Sequence, residues 1–195
     1  MIVTVQGKSP AYSGGTNMNV IECIKKRRSI RKYKPDAIEH SIIDSIVLAA
    51  SYSPSWKNTQ IPRYIAIEDS SLLETIADKF TPDFNANIIR QLPMLVAVTY
   101  VTGRCGFERD GSYSTRKEDR WQMFDAGIAS QSFCLAAKEY GLGTVIMGIF
   151  DEDGIHELLG IPADQELAAL IAVGYPDIDP EPPKRKPLDA ILKYM

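Results

Sequence analysis

The chain is poor in the residues from which most catalytic centres are built. Its two histidines, His40 and His156, are far apart, each in a helical segment with a polar face. Surface helix positions explain both, leaving little for a Ser-His-Asp or Cys-His hydrolase and no His-based metal site. The three cysteines, Cys23, Cys105 and Cys134, are an odd number without metal-like spacing. Cys23 and Cys134 fall in helical patterns and read as small core residues, so a reduced, cytoplasmic setting is expected. No stretch approaches the ~18 apolar residues of a membrane span. Residues 1–18 lack the charged head, apolar middle and cleavage site of a secretory signal. They read as a variable arm ahead of one domain over residues 19–195, with Met18 as an alternative start.

Positive charge is also scarce, except in one place. The chain has 22 Lys+Arg against 25 Asp+Glu, and seven of those cations fall within the ten residues Lys25 to Lys34. The remainder carries 15 against 25, a net of −10. Such a cluster attracts an anion. Lys25 and Lys26 are equally explained as cations at the negative end of a helix. Arg27-Arg28-Ser29-Ile30-Arg31 is less easily explained that way. In an extended segment residues i and i+2 point the same way, so Arg27, Ser29 and Arg31 can converge on one anion. Arg forks suit bidentate phosphate binding. A nucleic-acid module built on this run is disfavoured by the acidic remainder and by the lack of a second basic patch or stacking platform.

The rest of the chain alternates helical and strand patterns. Asn19 with Glu22 forms a capping-box pattern before a short apolar stripe of Val20, Ile21 and Ile24. Asp36 to Glu39 repeats the start signal before an amphipathic helix over ~38–51. Ser51 to Gln60 is a polar loop, Tyr64 to Ile67 a strand, and Ser71 opens another helix. Residues 80–92 read as irregular and Met94 to Val101 as an apolar strand. Residues 102–119, with Gly103, Gly106 and Gly111, read as a lid or as disordered. A helix over ~120–140 follows, its small residues Ala126, Gly127, Ala129 and Ser130 suiting close packing or a subunit contact, with Gly141 stopping it. Gly143 to Gly148 is a short strand, Asp151 caps a helix ending at Gly160, and Leu167 to Val173 is the last strand. The Pro-rich tail from Gly174 ends in Leu188, Ile191 and Leu192, which need something to bury them. The class is α+β or α/β around one sheet.

In this order the motifs resemble one family, the FMN-dependent nitroreductases. Arg27 to Arg31 is similar to its opening signature. Pro54-Ser55, Asn58 and Gln60 are similar to its Pro-Ser-x-x-Asn-x-Gln loop. Asp125, Gly141-Leu142-Gly143-Thr144 with Phe150, Leu159-Gly160-Ile161-Pro162, Gly174-Tyr175-Pro176 and Arg185-Lys186-Pro187 complete the series. The resemblance implies an α+β fold with a central mixed sheet flanked by helices, in a domain-swapped homodimer with an extended C-terminal arm. It implies FMN as cofactor and NADH or NADPH as hydride donor. It places Arg27, Ser29 and Arg31 on the FMN phosphate, ribityl chain and pyrimidine edge, with Arg28 nearby and Arg185 closing over the phosphate. Pro54, Ser55, Trp56 and Asn58 would come from the other subunit. The backbone of Met147 and Gly148 would face the ring, the Gly148 N–H near its N5.

Two departures concern the substrate side. Gln60 is followed by Ile61-Pro62 where many relatives have Pro and then Trp, and the Gly148 position is acidic in some members. The implied activity is hydride transfer to a nitroaromatic, quinone or similar small-molecule acceptor, with reductive dehalogenation, flavin cleavage or non-catalytic flavin binding as alternatives. Flavin chemistry needs no catalytic side chain and no metal from the protein, which fits the scarcity of such groups. Phe107, Tyr113 and Trp121 are candidates to stack on a flat acceptor, with core packing an equal alternative for Trp121.

Overall fold

The computed structural model describes residues 18–195. All but the last residue of the expected N-terminal arm lie outside the described residues. Four strands, β1 (Pro62–Ile67), β2 (Met94–Val101), β3 (Gly143–Met147) and β4 (Gln165–Gly174), form one sheet in the order β1-β2-β4-β3. Every strand pair is antiparallel. The expected mixed sheet is therefore corrected. The one parallel pairing next to this sheet is an isolated bridge between Ser29 and Thr144, beyond the β3 edge. β2 and β3, both antiparallel to β4, run the same way, and the chain crosses from one to the other past β4 through the 20-residue helix between them.

The central strands β2 and β4 are buried on both faces, and their side chains sort by twos. Leu95, Ala97, Leu170 and Ala172 point into one core, with α3 (Ser70–Phe80), α4 (Asp83–Ile89) and α6 (Glu152–Leu159). Met94, Val96, Val98, Ile171 and Val173 point into the other, with α2 (His40–Ser51) and α5 (Arg120–Glu139). Helices thus cover both faces of an antiparallel sheet.

The expected helix starts were realised unevenly. Asn19 caps α1 (Val20–Lys26), its Oδ1 accepting the Glu22 N–H at 3.0 Å. α2 instead begins after Glu39 with no side-chain cap. Asp69, two residues before the expected Ser71, caps α3 through the Ser71 and Leu72 N–H groups. Asp151 caps α6, which ends on left-handed Gly160. The stop of α5 has the double bond of a glycine-terminated helix. The Leu142 N–H donates to Ala137 O and the Gly141 N–H to Lys138 O, with Gly141 at φ 77°.

One expectation failed in an instructive way. Residues 80–92, expected to be irregular, contain α4, a seven-residue helix whose buried Ala86 and Ile89 are one turn apart. The apolar stripe of α1 faces outward, with only Cys23 buried and Val20, Ile21 and Ile24 exposed.

The basic segment is seated on the sheet by its apolar residues. The Ile30 N–H donates to Thr144 O at 3.0 Å, and the Lys34 N–H to Tyr175 O at 2.9 Å. The buried Tyr33 hydroxyl donates to Ile30 O at 2.6 Å. Ile30 and Tyr33 reach the backbone because the paired positions Gly143 and Gly174 carry no side chain. A Cβ on Gly143 would stand 2.6 Å from Ile30 Cγ1, and one on Gly174 2.8 Å from a Tyr33 ring carbon. Gly143→Ala should therefore unseat the segment, at about 1–3 kcal/mol for overpacking. Thermal unfolding should fall by about 2–12 °C. An unchanged melting temperature would mean that Ile30 is not held there.

Candidate functional site

The sequence-predicted residues fall into two groups. The first comprises Arg27, Arg28, Ser29 and Arg31, running from the end of α1 to the outer edge of β3. Arg28 and Ile30 line a polar cavity of about 470 Å³ with Lys26, Lys34, Lys138, Asp177 and Asp179, and Arg27, Ser29 and Arg31 are not part of that lining. The Arg28 guanidinium turns back on the helix end, donating to Lys25 O at 2.5 Å and Arg27 O at 2.8 Å. Arg28 is thus a helix-end cap. Among the described residues no ion pair involves Arg27, Arg31 or Arg185. Arg27 is half-buried without a carboxylate in an ion pair beside it.

Beside this group lies the free edge of β3. Thr144 O points outward to accept from Ile30. By the antiparallel alternation Ile146 presents its N–H and C=O groups on that same edge, and Gly148 follows directly after the end of the strand. Gly148 is exposed, with nothing within 4 Å of where a Cβ would be. Met147 is turned the other way, its side chain buried in the core and its backbone paired with Leu170 of β4. The backbone after Gly148 is held by buried Asn85 on α4, whose Nδ2 donates to Ile149 O at 2.9 Å. Arg forks free of ion pairs, a hydroxyl and an open backbone edge suit a phosphate-bearing flat cofactor such as FMN.

The second group, Pro54, Ser55, Trp56 and Asn58, lies at the N-terminal half of α5. The Trp56 N–H donates to Asp125 Oδ2 at 2.8 Å, and Ser53 Oγ donates to Ser132 Oγ at 2.7 Å. The Ser55 hydroxyl accepts the Gln60 N–H at 3.1 Å. Three non-glycine residues here are left-handed: Lys57 at φ 46°, Asn58 at 56° and Gln60 at 48°. Such conformations cost of order 1–3 kcal/mol each and persist only where the surroundings over-determine them. Pro54 and Ser55 line a mostly apolar groove of about 610 Å³ with Val47, Leu48, Pro62 and Tyr64.

One chain does not bring the two groups together. Trp56 is anchored at Asp125, whereas α1 is anchored by Cys23, whose thiol lies 3.5 Å from Leu135 O. That is about 15 Å along α5 at ~1.5 Å per residue. Arg185 lies apart from both, exposed on the tail.

The 102–119 segment is folded upon itself rather than unstructured. The Ser114 N–H donates to Gly106 O and the Glu108 N–H to Ser112 O, both at 2.8 Å. Phe107 packs on Tyr113 at 4.9 Å between ring centroids. Lys57 Nζ reaches Glu108 at 2.9 Å, joining this segment to the 53–60 loop. Trp121 is committed to packing, 4.9 Å from the Trp56 ring, with its Nε1 donating to Thr115 Oγ1.

The sequence reading missed the anchoring role of Asp125. Its signal was present, because Asp125 is the only Asp, Glu, Lys or Arg between Trp121 and Ala137. It is 3% exposed, and the Cys105 thiol also meets its Oδ2, at 3.1 Å. Burial, reinforced by that hydrogen bond and the carboxylate charge, pushes the Cys105 thiol up to about 12, so it remains a donor. The histidines make local bonds. Exposed His40 meets Glu68, whose hydrogen bond and charge raise its pKa, and half-buried His156 meets Gln165 O at 3.0 Å. Among the described residues no group of three or more His, Cys, Asp or Glu could hold a metal ion. No helix among them is long and apolar enough to cross a membrane.

The fold and this site define an α+β oxidoreductase scaffold, and comparison with known proteins agrees. The model of the nitroreductase family matches residues 24–92 and 81–175. A protein of Methanothermobacter thermautotrophicus, provisionally named an NADH dehydrogenase/NAD(P)H nitroreductase, is 31% identical over 169 residues, covering 85% of this chain and 81% of that one. A nitroreductase family protein from Clostridium novyi superposes with a TM-score of 0.70 at 29% identity, over 82% of this chain and 86% of that one. An iodotyrosine deiodinase of Thermotoga neapolitana is 25% identical over 177 residues, 87% of this chain and 94% of that one. The chain belongs to the nitroreductase family.

Proposed function

We propose that the chain is a homodimeric, FMN-dependent oxidoreductase that passes hydride from NADH or NADPH to a nitroaromatic, quinone or similar acceptor. Residues 19–195 form its single FMN-binding domain, working in the reduced cytoplasm. The observation that carries the reading is the uncompensated Arg27-Ser29-Arg31 segment beside the open Gly148 edge of β3. Arg27 and Arg31 hold the phosphate and the pyrimidine edge, Ser29 the ribityl chain, and Gly148 donates its N–H to the ring. When bound, FMN supplies the two-electron carrier.

The dimer follows from the separation of the two groups. Pro54, Ser55, Trp56 and Asn58 are too far along α5 to cover a ring held by their own chain, so they serve the partner's site. The outer surface supports this. Val20, Ile21 and Ile24 of α1, Leu48 and Tyr52 at the end of α2, and Met123 and Phe124 of α5 are all exposed. Gly127 opens to the outside, whereas Ala126, Ala129 and Ser130 are used within the chain. Leu188, Ile191, Leu192 and Tyr194 are exposed on the extended tail. They form an arm that exchanges between subunits, carrying Arg185 to a phosphate and finding an apolar seat such as the groove beside β1.

With one ring face covered by the loop, the other face admits either the nicotinamide or the acceptor. The protein should turn yellow with FMN, bleach with NADH or NADPH, and give parallel double-reciprocal lines with a nitroaromatic or quinone. Changing His40 or His156 to Ala should cost kcat only modestly, since neither lies at the site. Intersecting lines, or a His variant down by about 10³, equivalent to ~4 kcal/mol of barrier, would contradict the reading. Reductive dehalogenation is the second reading, favoured by the likeness to iodotyrosine deiodinase. Iodide release from an iodinated phenol, without nitroaromatic turnover, would select it.

A further inference from the structure

We propose that Asp125 is a positioning residue that fixes both loops of the acceptor side through one oxygen. Its Oδ2 accepts the Trp56 N–H of the 53–60 loop at 2.8 Å and faces the Cys105 thiol of the 102–119 segment at 3.1 Å. The catalytic part of this inference rests on the flavin reading above, but the geometry does not.

Three features require such a pin. The 53–60 loop holds Lys57, Asn58 and Gln60 in left-handed conformations, which relax unless neighbouring atoms hold them. Cys105 is fully buried at the root of a segment whose other residues, apart from Gly106, reach the surface. The Asp125 carboxylate is itself buried and meets no cation in an ion pair among the described residues. A buried carboxylate stays satisfied by accepting hydrogen bonds, and here its donors come from the two loops. Neither loop can shift without leaving that oxygen short of a donor, so their positions are coupled. The Lys57–Glu108 pair at the surface joins the same two segments, but it is solvated and contributes less.

The coupling bears on the acceptor. The 53–60 loop covers a flavin of the partner, and the 102–119 segment brings Phe107 and Tyr113 beside it. Asp125 therefore sets the width of the slot between them without touching either reactant.

The test exploits the two tryptophans, Trp56 and Trp121, which are the only ones in the chain and both stand at this junction. Acrylamide quenching of tryptophan emission in the flavin-free protein reads the junction directly. Asp125→Ala should raise the quenching slope at least twofold and weaken FMN about tenfold. Cys105→Ala should raise the acceptor KM severalfold more than it lowers kcat, and Cys105→Ser, whose hydroxyl can donate, should restore KM. Variants that melt earlier but keep the wild-type quenching slope and KM would overturn the proposal. If Asp125→Ala does not fold, the Cys105→Ala and Cys105→Ser pair decides it on the same readouts. A wild-type protein that binds no FMN would sink the flavin reading while leaving the quenching result to judge the pin.

Discussion

Arg27→Ala is expected to purify folded but largely colourless, whereas Arg28→Ala is expected to keep its flavin and melt earlier. The two arginines are adjacent and equally half-buried, yet the structure gives them different work. Arg28 spends its guanidinium on the carbonyls of Lys25 and Arg27, so its removal uncaps α1. Arg27 has no carboxylate partner among the described residues, so its removal costs the isolated chain little. On the proposed reading, what it would lose is a contact to the FMN phosphate dianion. A charged hydrogen bond contributes about 1.5–3 kcal/mol, so one lost contact weakens binding by roughly ten- to a hundredfold. Against the ~8 kcal/mol of a micromolar affinity, that empties the site during purification. The 450 nm absorbance per chain and the melting temperature of both variants check the pair. An Arg27→Ala protein with full flavin would move the phosphate away from this segment.

Much of this fold was legible in the sequence because its signals are local. β2 and the stop of α5 lie where the apolar run and Gly141 place them. α4 was missed because seven residues containing two Asn give a weak helical signal, and its burial comes from packing on α3 and the Ile149 backbone. The apolar stripe of α1 was legible, but not what covers it. An apolar stripe shows that a face is to be covered, not by which chain. The all-antiparallel sheet depends on pairing between segments about 70 residues apart, Leu95 with Ala172 for example, which no local pattern encodes.

The candidate site divides in the same way. Arg27, Ser29 and Arg31 stand out as candidates because charge is visible in a sequence and an extended segment fixes where alternate residues point. Met147 and Gly148 read alike as neighbours but differ in the fold, Met147 being buried and paired with Leu170 while Gly148 is exposed just past the end of β3. Asp125 looked like one acid on a helix. Only the folded chain brings Trp56 and Cys105 to the same oxygen.

The central claim is that each flavin is held by the basic segment of one subunit and the 53–60 loop of the other. Co-expression of two differently tagged, individually disabled chains tests it most directly. One chain carries Arg27→Ala. The other carries Ser55→Trp, whose indole fills the space the ring needs at the loop. Neither homodimer should bind FMN. The heterodimer pairs an intact basic segment with an intact loop at one of its two interfaces, and should purify with one FMN per dimer and about half the wild-type activity, a statistical factor of one site in two. A heterodimer as empty as its parents would contradict the account, because it would mean that each chain builds its flavin site from its own residues alone.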